Sequence, residues 1–175
     1  MNIELELLKE HSKANSARIG DYIIENSDEL KTLVSLFLSR KKVVSQRSGM
    51  VISYVHDLSP EIFNIELKEE IIKTLIHEDN IEVAVKRNIV RILQTMQIPI
   101  KYHSLIFNNA LELMINPKEA IAVRAFCMQI LYNLTSIYPE LKLELILSLE
   151  NILLLNNEAG IQSRGRKILK MLMKS

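Results

Sequence analysis

A short pattern built around one arginine recurs five times along this chain. The arginines are, in chain order, Arg18, Arg47, Arg87, Arg124 and Arg164. Their successive spacings are 29, 40, 37 and 40 residues, and the pattern is clearest in the stretch "IAVRAFCMQILYNL" from Ile121. Fixed periods of this size are typical of proteins in which one supersecondary unit is copied and stacked. The chain is therefore predicted to consist of copies of one unit.

Composition indicates that this unit is helical. Gly and Pro number only four each among 175 residues, which is far below average usage and leaves few residues for turns. Leu, Ile, Glu and Lys are abundant, and Leu, Glu and Lys favour the helix. We predict an all-α fold with a packed core that needs no disulfide or metal.

Start signals divide the chain into ten short helices in five pairs. Capping residues are expected at Asn26, Ser59 and Asn116, and Pro139 suits a first helical position. First helices are predicted near residues 2–11, 27–39, 60–77, 99–115 and 139–155. Second helices are predicted near residues 13–25, 41–57, 81–96, 117–134 and 159–174. With no linker-like composition between pairs, we expect a single domain over residues 1–175.

The helix predicted from Pro139 is apolar almost all round. Its polar positions, Glu140, Glu144, Ser148 and Asn151, form one narrow stripe at helical spacing. A helix with so little polar surface is expected to have neighbours on several sides, as an inner member of a stacked array does.

The arginine-bearing segments, such as "AVRAFCMQIL", resemble HEAT and armadillo repeats. In HEAT repeats an arginine of the second helix bonds to a polar turn residue of another repeat. The match is residue by residue at four of the arginines and weaker at Arg18. Where the family usually has Asp in the turn, this chain has Asn80, Asn116 and Asn156. The resemblance implies a short right-handed α-solenoid of about five pairs, with the five arginines as a structural ladder.

A second resemblance concerns the carboxy-terminal third of the chain. From "AVRAFCMQILYNL" through "YPELK" to "SRGRKILK", it is similar to small bacterial helical-repeat proteins to which the name adenylosuccinate lyase has sometimes been attached. True adenylosuccinate lyases carry a mobile loop of the form S-S-x-M-P-x-K-x-N-P. The nearest segment here, "LELMINPKEA", contains no serine. We therefore expect a likeness to the lyase in name only.

No pattern of catalytic or metal-binding residues is found. The four histidines, His11, His56, His77 and His103, lack the spacing of a zinc site. His56 beside Asp57 is the nearest acid–base pair, but adjacent residues do not face each other on a helix. The single cysteine, Cys127, lies among apolar residues and is expected to be a buried structural thiol. We predict a non-enzymatic cytoplasmic protein without a cofactor.

Charge is distributed unevenly between the two sets of helices. Over residues 13–25, 40–57, 80–96, 117–134 and 158–174, Lys and Arg number 16 and Asp and Glu number 6. The remaining residues hold 6 basic and 15 acidic side chains, although the net charge of the chain is only +1. Some basic residues of the second helices have structural explanations: the five arginines of the ladder, and the lysines of the last helix, which suit its dipole. Of the others, the candidate binding residues are Lys41, Lys42, Lys86, Arg91, Lys118 and Arg166.

Two functions fit a basic face formed by the second helices. The first is an interaction scaffold that receives an acidic protein segment or helix on a concave surface. The second resembles HEAT-like DNA alkylation repair glycosylases, which grip duplex phosphates in a basic hollow. Phosphate contacts need only distributed Lys and Arg, but Trp is absent and aromatics make up only 5% of the chain, which disfavours capture of an extruded base. We expect a monomer or weak homodimer and no membrane partner.

Overall fold

The computed structural model describes residues 1–39, 41–77 and 81–174. Across these residues the chain is built from ten α-helices and contains no strand, which confirms the all-α prediction. The helices are α1 (Ile3–Lys9), α2 (Lys13–Glu25), α3 (Leu30–Phe37), α4 (Lys42–Leu58), α5 (Ile65–His77), α6 (Val83–Leu93), α7 (His103–Ile115), α8 (Ile121–Thr135), α9 (Lys142–Leu155) and α10 (Ala159–Leu172). Short 3-10 helices, Ser27–Glu29, Pro60–Ile62, Ile100–Tyr102 and Pro139–Leu141, precede the odd-numbered helices from α3 onward.

The chain divides into two compact units, Met1–Ile92 and Leu93–Ser175. The first unit contains α1 to α5 and nearly all of α6, and the second contains α7 to α10. That a single domain covers residues 1–175 stays a prediction.

The core of the first unit forms around α4. Helices α1, α2 and α3 all contact it, and the centre of α4 contributes the fully buried Val51 and Ile52. Ile23 of α2 and Phe37 of α3 are also fully buried. These apolar side chains recur at helical spacing, so each helix offers one face to the core and leaves the other in water.

The core of the second unit forms around α8. This helix contacts α7, α9 and α10. It buries an apolar face that includes Val123, Met128 and Leu131. Cys127 lies on the same helix and is fully buried, as expected for a structural thiol.

Two of the predicted helix starts are wrong. Helix α8 begins at Ile121 rather than Pro117, because the Asn116 Oδ1 atom accepts a hydrogen bond from the Lys118 N–H at 3.0 Å and closes a turn. Pro60 begins only a 3-10 helix. The side chain of Asn64, which was not among the predicted capping residues, accepts from the Leu67 N–H at 3.0 Å near the start of α5.

Two other residues predicted at helix starts, Pro139 and Asn26, lie at helix boundaries. Pro139 occupies an early position of a 3-10 helix that leads into α9. Asn26 precedes the 3-10 helix Ser27–Glu29, but its side chain does not cap that helix. Its amide Nδ2 instead donates to the Tyr22 carbonyl at 2.9 Å. Short polar side chains suit both ends of helices. Such a residue therefore indicates that a helix boundary is near, but not whether the helix begins or ends there.

Candidate interaction surface

The five arginines occupy different positions within their helices. Counted from the first helical residue, Arg124 is fourth in α8 and Arg87 is fifth in α6. The other three are sixth: Arg18, Arg47 and Arg164. Each residue turns an α-helix by about 100°, so a shift of two positions rotates a side chain by about 200°. An alignment on the arginines therefore superimposes side chains that point in different directions.

Arg124 is almost fully buried, with a side chain only 1% exposed. Its Nε donates to the Met114 carbonyl at 3.0 Å, near the carboxy terminus of α7. Its Nη1 lies 3.4 Å from Asn156 Oδ1 and 3.3 Å from Glu158 Oε2, which precede α10. With the Asn156 amide turned over, its oxygen accepts from Nη2 at 3.1 Å and its nitrogen donates to Glu158. Asn156 thus orients the guanidinium, and Glu158 supplies the negative charge that an amide lacks.

The remaining arginines are more exposed. Arg87 is exposed and does not share the buried setting of Arg124, because it lies one position later in its helix. Arg18 is also exposed and pairs with Glu6 at 2.5 Å.

The half-buried Arg47 donates to the Leu7 carbonyl at 2.7 Å, and the half-buried Arg164 lies 3.4 Å from Gln129 Oε1. Asn80, expected to precede Arg87 as a turn partner, lies outside the described residues.

The fourth helical position carries the same role in three second helices, whatever residue occupies it. Ser45 of α4 donates to the Ser39 carbonyl, just beyond the end of α3. Gln162 of α10 donates at 2.7 Å to the Leu153 carbonyl, near the end of α9. Together with Arg124, these side chains satisfy carbonyls that the ends of the first helices leave without partners. A pattern built on arginine does not reveal Ser45 and Gln162, because the feature that the three positions share is a hydrogen-bond donor rather than a residue type.

Four of the six candidate binding residues belong to the first unit. Lys42 is exposed and Lys86 is half-buried. Lys41 pairs with Glu4 at 2.6 Å, and the Arg91 Nη2 atom lies 2.6 Å from Asp57 Oδ2. These ion pairs join side chains far apart in sequence. They neutralise part of the positive charge that the sequence predicts to be available for binding an acidic partner.

In the second unit, both Lys118 and Arg166 are exposed. Arg166 lies on α10 with Lys167 and Lys170, which are exposed as well. These three side chains, here called the α10 cation stripe, fall within an arc of about 100°. The buried residues of the helix, which include Ile161 and Ile168, lie on the opposite side. No ion pair joins the stripe to a carboxylate of residues 1–39, 41–77 or 81–174.

Comparison with known proteins identifies the architecture. The family model described as "HEAT repeat domain" matches residues 3–172, nearly the whole chain. This chain belongs to the HEAT repeat family. Neither the curated proteins nor the solved structures contain a match. HEAT repeats commonly mediate protein interactions, and members of the family are typically scaffolds without enzymatic activity.

The potential acid–base pair of this HEAT chain is split by the fold. His56 is buried and packs edge-on against Phe63, with ring centroids 5.3 Å apart. Asp57 is exposed and pairs with Arg91. Among the residues that the structure describes, no group of three or more His, Cys, Asp or Glu side chains is arranged to hold a metal ion. The described helices also include none that is both long and apolar enough to cross a bilayer.

Burial of His56 predicts a pH dependence of stability. Burial lowers the pKa of His56 below its usual 6.5, the nearby Asp57 carboxylate opposes this shift, and Lys68 and Arg91 add to it. The unfolded chain therefore takes up the proton first, so the free energy of unfolding falls as the pH drops below about 6.5. We expect His56→Gln to flatten this dependence in urea unfolding between pH 7 and pH 5. Parallel curves for the two proteins would contradict the assignment.

Proposed function

We propose that this HEAT protein is a non-enzymatic scaffold that binds an acidic protein segment through cations of its second helices. The α10 cation stripe is the observation that carries the proposal. Three positive side chains on one exposed face, with no carboxylate partner among the described residues, create a local positive potential. Binding an acidic segment there would not require internal ion pairs to be broken.

The helix dipole does not account for the whole stripe. Favourable interaction with the dipole falls off within the last turn of a helix, and α10 ends at Leu172. Lys170 lies in that last turn, whereas Arg166 and Lys167 lie before it. Lys167 and Lys170 are among the lysines of the last helix that suit its dipole, but their exposure beside Arg166 favours a role for all three in binding.

The other candidates support the proposal unequally. Lys42 and Lys118 are exposed and available to a partner. Lys41 and Arg91 would exchange their present carboxylates for those of the partner. Exposed ion pairs contribute only about 0–1 kcal/mol, so this exchange is feasible but adds little affinity. The proposal therefore assigns the largest electrostatic contribution to α10.

Charge reversal on α10 tests the proposal. We expect Lys167→Glu with Lys170→Glu to weaken binding of a fluorescent glutamate-rich helical peptide by about tenfold or more, because rim charges steer association and set affinity at low salt. The matched control is Lys13→Glu with Lys31→Glu, which makes the same change in net charge on exposed positions of α2 and α3. Fluorescence anisotropy measures binding, and thermal unfolding checks that both variants are folded.

Three results would contradict the proposal that the α10 cation stripe binds an acidic protein segment. If the wild-type protein does not bind the glutamate-rich peptide at low salt, the proposal fails. If both double variants lose affinity equally, net charge rather than the α10 cation stripe is responsible. If duplex DNA binds more tightly than the peptide, with the steep salt dependence of phosphate contacts, the stripe is a nucleic-acid-backbone site instead.

A further inference from the structure

Helix α9 has an apolar face that nothing in its unit covers. The expectation that neighbouring helices cover this helix on several sides is wrong within the second unit. Leu145, Leu149 and Ile152 are buried against the core. Three other leucines of the helix, Leu143, Leu147 and Leu154, remain in solvent and are 66%, 57% and 83% exposed. Helix α9 therefore departs from a simple amphipathic pattern.

The exposed leucines form a line. Leu143, Leu147 and Leu154 are separated by one and then two helical turns, which places them within an arc of about 40°. The buried stripe of Leu145, Leu149 and Ile152 is centred roughly 180° away. A surface helix normally needs only one apolar stripe. Helix α9 has two on opposite sides, as a helix packed between two layers would.

Acidic side chains border this line. By helical position, Glu144 lies along one edge of it and Glu150 lies along the other. Glu140 lies in the 3-10 helix that leads into α9. Glu144 also lines a groove of about 340 Å³ between the beginnings of α7 and α9. Apolar side chains of Phe107, Leu134 and Leu141 contribute to the same groove, and Lys101 is its one lining cation. The surface thus combines apolar contact area, a depression and an excess of negative charge.

We propose that this surface binds an amphipathic helix of another protein that carries lysine or arginine beside its apolar stripe. The leucine face is defined as Leu143, Leu147 and Leu154 with Glu140, Glu144 and Glu150. Apolar anchors at helical spacing in the partner would cover the leucines, as in other helix-in-groove complexes. Cations flanking those anchors would meet the glutamates at the rim, where opposite charge favours encounter and correct register. This inference does not rest on the α10 cation stripe.

A second copy of this chain fits the leucine face less well. Packing α9 against α9 of another molecule would bring two sets of glutamates together, and like charges across an interface are unfavourable. The α10 cation stripe of a second copy has the right charge but presents no row of apolar side chains to cover the leucines. An anionic membrane surface would be repelled by the same glutamates. Charge complementarity therefore favours a separate cationic helix.

Two synthetic peptides test the leucine face. Each has about 20 residues with leucines at helical spacing, and the polar positions are lysine in one peptide and glutamate in the other. We expect the intact protein to bind the lysine peptide at least about tenfold more tightly. Leu147→Ser with Leu154→Ser should remove about tenfold of that affinity, because two apolar anchors are lost. Leu5→Ser with Ile65→Ser, at exposed positions of α1 and α5, is the matched control.

The outcomes separate the alternatives. Glu144→Lys with Glu150→Lys should reverse the preference of the protein for the two peptides. Lys167→Glu with Lys170→Glu should leave binding of the lysine peptide intact, so failure of this inference is distinguishable from failure of the proposed function. Equal affinity for both peptides, no binding at low salt, or unchanged binding by the leucine variant would overturn the proposal. A dimer in sedimentation that Leu147→Ser with Leu154→Ser dissociates would assign the leucine face to a second copy.

Discussion

Replacing Arg124 by alanine is expected to lower the free energy of unfolding by about 3 kcal/mol, because a large buried side chain and its hydrogen bonds are lost together. The side chain is almost fully buried and bonds to the Met114 carbonyl, Asn156 and Glu158. Its removal would leave a cavity and a helix-terminal carbonyl without a donor. For a chain of this length the loss corresponds to a decrease in melting temperature of about 6–12 °C. Thermal unfolding by circular dichroism measures it.

Arg87→Ala is the matched control for that substitution. It removes the same side chain from another second helix, but Arg87 is exposed. Surface substitutions away from special features usually change stability by less than about 0.5 kcal/mol. We therefore expect a melting temperature within about 2 °C of the wild type. Equal losses for the two variants would show that burial of the arginine is not what makes Arg124 structural.

Replacing Gly49 by valine should be comparably destabilising, by about 2–3 kcal/mol. A Cβ atom at this position of α4 would overlap the side-chain amide of Asn88 and approach Phe37 Cε2 to 3.1 Å. Asn88 is buried and Phe37 is fully buried, so neither side chain has space to withdraw. Glycine here permits close approach of the side chains of α3 and α6 to α4. The expected decrease in melting temperature is about 4–12 °C.

Gly160→Ala provides the contrast. A Cβ atom there would lie 2.9 Å from Ile121 Cγ2, but Ile121 is exposed and can rotate away. Alanine also favours the helix over glycine by about 1 kcal/mol. We expect Gly160→Ala to leave stability unchanged or slightly raised in the same unfolding measurement. A loss as large as that of Gly49→Val would mean that Ile121 has no space to rotate away from the added methyl group.

The sequence predicted the ten helices because apolar periodicity and sparse turn residues are local properties. The position of each arginine relative to the first residue of its helix was harder to predict. Arg124 and Arg164 align in a search for arginine, yet Gln162 rather than Arg164 takes the structural position of Arg124. Two residues of shift preserve the sequence pattern and reverse the direction of the side chain. Only the backbone hydrogen bonds that begin each helix fix that register.

The charged surfaces depended on tertiary contacts that no local pattern contains. Glu4 lies 37 residues from Lys41, and Asp57 lies 34 residues from Arg91, so their ion pairs were invisible in sequence. Conversely, the leucines of α9 were predicted to be covered, because the sequence alone does not distinguish packing within the chain from packing against a partner. The exposed face of α9 is therefore a structural finding, and the cationic α10 was only partly predicted.

Mapping the binding of the glutamate-rich peptide by nuclear magnetic resonance is the most direct test of the central claim, that a cationic face on a second helix receives an acidic partner. Chemical-shift changes in a ¹⁵N-labelled protein locate the contact residue by residue. We predict the largest changes along α10 from Ser163 to Lys170, with α9 little affected. Changes concentrated elsewhere, or none at saturating peptide and low salt, would contradict it.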